Sequence, residues 1–170
     1  EDSSDFPKVT GSTYEHGLGF DYKWDLGWMH DTLQYFAIDP HYRKYDHHKL
    51  TFSMMYFYYE RFIMPLSHDE VVHGKGTIIN KMWGDYDQKF AQVKVLYLYM
   101  MTHPGKKLNF MGNELGMFRE FDETRENDWF LLDYSRHAAF ARYFKDLCTI
   151  YAHYAAFSEN DFTYDGFKWI

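Results

Sequence analysis

Cysteine is close to absent. Cys148 stands alone in the chain, which excludes an intramolecular disulfide and leaves nothing that points to an oxidising compartment. In a helical pattern such a residue reads as a small core side chain. A basic excess is missing as well: 18 Lys+Arg face 25 Asp+Glu, a formal charge of -7. With no long basic run to neutralise phosphates, nucleic acid and anionic membranes are poor partners. No apolar run approaches the length of a membrane span. The first residues, Glu1-Asp2-Ser3-Ser4-Asp5, form neither the basic nor the apolar part of a secretory leader. Internal repeats and low-complexity linkers are lacking too, so the chain reads as one domain or one piece of a domain.

What is present is an apolar, aromatic-rich sequence. Hydrophobic residues make up 46% and charged residues 25%, enough for a packed core and far from the composition of disorder. Aromatics reach 22%, and such rings fill cores or stack on sugars and bases. Gly19 to Trp24 alternates bulky and polar residues and predicts a short strand; Asp25 then caps a helix through Phe36, stopped by Ile38-Asp39-Pro40. A second helix is expected over Lys49 to Tyr59, and a buried strand over Phe62 to Leu66. Asp85 with Gln88 forms a capping-box pattern ahead of Phe90, Val93, Tyr97, Met100 and Met101 at helical spacing. Pro104-Gly105 ends that helix, Lys107 to Met111 predicts a strand, and Arg136 to Tyr151 a last helix. Strands alternating with helices point to βα units and a parallel sheet. Three such units fall short of the roughly 250 residues of a closed eight-stranded barrel, so the expected fold is α/β, part of such a barrel. Phe20, Tyr22, Met64, Leu66, Leu108 and Phe110 are expected on its uncovered inner face, making the isolated chain prone to self-association.

Chemistry concentrates directly after the second strand. Ser67-His68-Asp69-Glu70-Val71-Val72-His73-Gly74-Lys75 gathers carboxylates, imidazoles and an ammonium where barrels carry their catalytic groups. A polar loop without chemistry would look similar, because charged clusters after strands are common. Two sharper motifs fail. His68 and His73 are five residues apart, about 140° on a helix, which breaks the zinc-protease pattern. Gly74-Lys75-Gly76 and Gly105-Lys106-Lys107 lack the spacing and hydroxyl of a phosphate loop. His47 and His48 beside Asp46 point different ways on any regular element, so no metal site is expected there. Trp24, Trp28 and Trp83 read as core residues before they read as sugar platforms.

Several strings occur together: Gly17-Leu-Gly-Phe20, Trp28-Met-His-Asp-Thr-Leu33, Leu66-Ser-His-Asp-Glu-Val-Val-His-Gly-Lys75, Pro104-Gly-Lys-Lys-Leu108, Phe110-Met-Gly-Asn-Glu114, Asp128-Trp129 and Asp165-Gly-Phe-Lys-Trp-Ile170. They closely resemble the bacterial 1,4-α-glucan (glycogen) branching enzymes of the α-amylase superfamily. The resemblance covers essentially the whole chain. It implies the C-terminal three βα units of a (β/α)₈ TIM barrel, with residues 1–170 as a partial catalytic domain from the end of the fifth strand to the last barrel helix and no second domain. It implies Glu1 as the acid/base, Asp69 as the carboxylate that stabilises the transition state, and His68 as a binder of substrate hydroxyls. The nucleophile and the N-terminal half of the barrel fall outside these residues, so the isolated chain is expected to be inactive.

The implied reaction is retaining transglycosylation in glycogen synthesis: cleavage of an α-1,4-glucan and transfer of the chain to a 6-hydroxyl, on glycogen or amylose. Neither a cofactor nor a metal enters it, and the cytoplasm is the expected compartment. Two alternatives stand beside it, an α-glucan hydrolase or debranching relative, and a non-catalytic glucan-binding half-barrel.

Overall fold

The computed structural model describes residues 8–169. Three short strands, β1 (Lys23–Trp24), β2 (Phe62–Leu66) and β3 (Lys106–Asn109), form one parallel sheet in the order β1-β2-β3. Parallel neighbours need crossover connections, and helices occupy them: α1 (Leu26–Ala37) and the one-turn α2 (His48–Thr51) between β1 and β2, α3 (Tyr86–Thr102) between β2 and β3. The long α4 (Ser135–His153) follows β3 and packs on α3. This is mixed α/β architecture, compatible with part of an α/β barrel.

Local chemistry accounts for the helix boundaries. The Asp25 carboxylate accepts from the Trp28 N–H at 2.8 Å and opens α1. At its far end the Arg43 guanidinium donates to the Ile38 and Phe36 carbonyls at 3.0 and 3.1 Å, meeting groups that the helix leaves without partners. A reciprocal capping box opens α3: Gln88 N–H to Asp85 Oδ1 at 2.9 Å and Asp85 N–H to Gln88 Oε1 at 2.8 Å. The predicted stripe Phe90, Val93, Tyr97, Met100 and Met101 is buried throughout.

Alternation along β2 sends Phe62, Met64 and Leu66 to the face that the helices cover, where they join Trp28, Phe57, Tyr97 and Phe140 in the core. Met64 and Leu66 are 0% exposed. The expectation that these two line an uncovered face is therefore wrong by one step of the strand. Register pairs Trp24 with Ile63 and Ile63 with Lys106, and Pro65 with Leu108. Trp24, Ile63, Pro65, Lys106 and Leu108 thus share the opposite face; Pro65 is buried and the other four are only partly so.

Two further expectations are corrected. The first strand contracts from Gly19–Trp24 to Lys23–Trp24. The helix expected over Lys49 to Tyr59 breaks into α2 and two 3₁₀ turns, Phe52–Met55 and Phe57–Tyr59. Its apolar residues lie on every face, so no single stripe holds it against a core: Phe57 is fully buried while Met55 is 74% and Tyr59 78% exposed. Trp28 is in the core as expected. Among the described residues no helix is long and apolar enough to cross a membrane.

Candidate active site

The sheet aims its C-terminal edge at the segment that carries the charged cluster. β2 ends at Leu66, and its chain is continued by Ser67 and a single 3₁₀ turn, His68–Glu70. The turn is closed by a second capping box. The Glu70 carboxylate accepts from the Ser67 N–H at 2.6 Å and from its hydroxyl at 2.8 Å, and Ser67 Oγ accepts from the Asp69 N–H at 3.2 Å. Ser67 and Glu70 are buried by this exchange, while the two side chains between them stay half exposed, 52% for His68 and 47% for Asp69. The capping box thus holds the backbone and leaves an imidazole and a carboxylate facing out.

His68 Nε2 lies 3.4 Å from Asp69 Oδ1. The imidazole also meets the ring of Phe110, just beyond β3, at 5.9 Å between centroids. Phe110 N–H donates to the Leu66 carbonyl at 2.9 Å and Asn113 Nδ2 to the same oxygen at 3.3 Å, so the ends of β2 and β3 are locked together under the pair. Beyond Glu70 the loop is held from behind: Lys75 Nζ donates to the Asp69 carbonyl at 2.8 Å, and Lys81 Nζ to the carbonyls of Glu70 at 2.5 Å and Lys75 at 2.8 Å. Burial pulls the Lys81 ammonium below its ordinary lysine value, and the nearby Glu70 carboxylate opposes that shift.

Of the residues singled out from the sequence, His68 and Asp69 are brought side by side. Glu1 lies outside the described residues. His73 stands in the same loop with a left-handed backbone, φ 59°. Among the described residues no group of three or more His, Cys, Asp or Glu side chains is placed to hold a metal ion. Sequence reasoning missed two supports. The Ser67-x-x-Glu70 box was readable from its spacing. Lys81 carried no signal, because its role depends on a turn that brings it back under the loop.

No family model matches the chain. Individual relatives do. Over all 170 residues it is 52% identical to the 1,4-alpha-glucan branching enzyme GlgB of Geobacillus stearothermophilus, 54% to that of Aquifex aeolicus (strain VF5) and 53% to that of Bacillus cereus (strain AH187). From end to end, the chain is similar to a segment of the branching enzymes. That segment is 27%, 27% and 26% of the three relatives' lengths, so the chain spans about a quarter of the curated branching enzymes it matches. The match leaves no part of the present chain uncovered, and the loop presenting His68 and Asp69 lies within it.

Proposed function

We propose that the chain is the part of a glycogen branching enzyme, a retaining transglycosylase, that supplies the transition-state carboxylate and the acid/base to a barrel completed by the rest of the protein. In this reading residues 1–170 are the last three βα units of a (β/α)₈ barrel, and the partly buried face bearing Trp24, Ile63 and Leu108 turns toward its interior. Identity of 52% along the entire chain is the observation that carries the proposal. The exposed His68–Asp69 pair at the C-terminal end of the central strand supports it, since that is where barrel enzymes place their chemistry.

The chemistry follows from the groups. The Glu1 carboxyl protonates the glycosidic oxygen while a carboxylate from the remainder of the barrel attacks the anomeric carbon; the C1–O4 bond breaks and a glycosyl ester forms. The Asp69 carboxylate stands beside the ring and stabilises the positive charge that develops there. His68 hydrogen-bonds the hydroxyls of the sugar being transferred. In the second half, the Glu1 carboxylate takes the proton of an acceptor 6-hydroxyl, whose oxygen displaces the ester carboxylate and makes the α-1,6 bond. The substrate is an α-glucan such as amylose or glycogen. A lone cysteine fits a cytoplasmic setting for this work.

A branching enzyme containing this segment, given amylose, should lose iodine colour while α-1,6 links accumulate and reducing ends do not. Reducing ends rising in step with cleavage, without new branch points, would make it a hydrolase and overturn the proposal.

A further inference from the structure

The Asp69 carboxylate lies 3.4 Å from an imidazole that is as exposed as itself, so its place is set through the backbone of its loop. That loop is tied across to a second one. Glu120, in the segment beyond β3 and more than forty residues away, puts one carboxylate oxygen on the Gly76 N–H at 2.6 Å and the other on the Gly74 N–H at 3.0 Å. Phe121 N–H, next in sequence, donates to the Val71 carbonyl at 2.9 Å. Asn80 Nδ2 adds a bond to the Phe118 carbonyl at 3.0 Å.

Backbone conformation explains the glycines. Gly74 and Gly76 have φ of 78° and 76°, values costly for other residues. A Cβ at Gly74 would meet nothing within 4 Å, and one at Gly76 would meet Asn80 Cβ at an ordinary 3.5 Å. Space is therefore not what requires glycine; the left-handed turns that converge two N–H groups on one carboxylate are. Those two N–H groups hold the Glu120 carboxyl below the usual carboxylate range, so it is the ionised form that clamps. The clamp has its own footing: Arg119 forks onto Asp128, Nη2 to Oδ1 at 2.8 Å and Nε to Oδ1 at 3.1 Å, and Nη1 donates to the Glu120 carbonyl at 3.3 Å.

We infer that Glu120 is a positioning residue, which fixes the loop of His68 and Asp69 by gripping the Gly74 and Gly76 amides. The inference rests on the functional reading above and adds a residue to it. A misplacement of about 1 Å in a reacting group costs on the order of a hundredfold in rate, so loosening the clamp acts on turnover more than on glucan affinity.

The test uses the full-length branching enzyme, assayed well below its melting temperature, with Glu120→Ala, Glu120→Gln and Asp69→Asn compared. Glu120→Ala should lower kcat roughly ten- to a hundredfold with KM for amylose little changed and the melting temperature within a few degrees. Glu120→Gln, which keeps one acceptor oxygen, should fall between. Amide exchange at Gly74 and Gly76 should quicken in both variants while that of Gly105 and Gly112 does not. Full kcat in Glu120→Ala beside an inactive Asp69→Asn would overturn the positioning role alone, as would a loss of activity that follows the loss of folded protein. An active Asp69→Asn would instead remove the functional reading, whatever Glu120 does.

Discussion

Asp25 holds both a structural role and a liability in one side chain. Its Oδ1 accepts from the Trp28 N–H and, at 2.7 Å, from the Tyr56 hydroxyl, whereas Oδ2 is buried with no partner among the described residues. Burial raises the carboxyl from an ordinary 3.8 to about 6, against the lowering effect of those bonds. A folded value above the unfolded one means that the native state binds the proton more tightly, so stability falls as pH rises from about 4 to 6 and stays lower above that. The shift corresponds to roughly 3 kcal/mol at neutral pH. Asp25→Asn keeps a good helix cap without the charge, and should stabilise the chain by about 1–2 kcal/mol at pH 7.5 while flattening the acid side. Urea titrations at pH 4.5 and 7.5 check it; equal destabilisation at both values would refute it. Histidine showed what sequence hides at this scale. His68 drew notice because carboxylates stand beside it in the chain. His103 and His137 are the buried ones among the described residues; burial pulls His103 down to about 3 and keeps it neutral, and besides the neighbouring Pro104 carbonyl it meets Ser53 Oγ, fifty residues away and a partner known only once the fold is.

At the scale of elements, the helix α3 depends on its start. Asp85→Ala removes the acceptor of the Gln88 N–H and should cost about 1 kcal/mol, read as a lower urea midpoint with an unchanged slope. A loss below about 0.3 kcal/mol would show that packing alone sets the boundary. Elements with a chemical start and a single buried stripe were legible: α1 from Asp25, α3 from its capping box, and β2 from its continuous apolar run, which matched at both ends. The stretch after α2 was not, because aromatics on every side give no period to choose between helix and turns. The face assignment of β2 failed for a related reason. A continuous run buried over most of its length does not say which set faces the helices. In the candidate site the Ser67 to Lys75 string was visible and the clamp was not: Glu120 lies on another loop, and nothing in its neighbours announces two glycine amides.

For the whole molecule, the sheet decides behaviour in solution. Among the described residues β1 and β3 each pair on one side only, and unpaired edges template further association. Exposed apolar side chains add to this, with Val95 and Leu98 on α3, Ile150 on α4 and Phe20 ahead of β1. Met64 and Leu66 do not contribute, being fully covered. The 170-residue chain should therefore elute as species larger than its 20.6 kDa, growing with concentration; a single monomer over a wide concentration range in light scattering would contradict that. The proposed chemistry turns on Asp69 as the charged group of a transglycosylase. The most direct measurement is the turnover of a full-length branching enzyme carrying Asp69→Asn, with branch points counted on amylose and glucan binding measured in parallel. The substitution keeps the shape and removes the charge that the proposed chemistry uses in the transition state. Turnover should fall by several orders of magnitude while binding stays near normal; a variant retaining more than about a tenth of the rate would contradict the role assigned to Asp69.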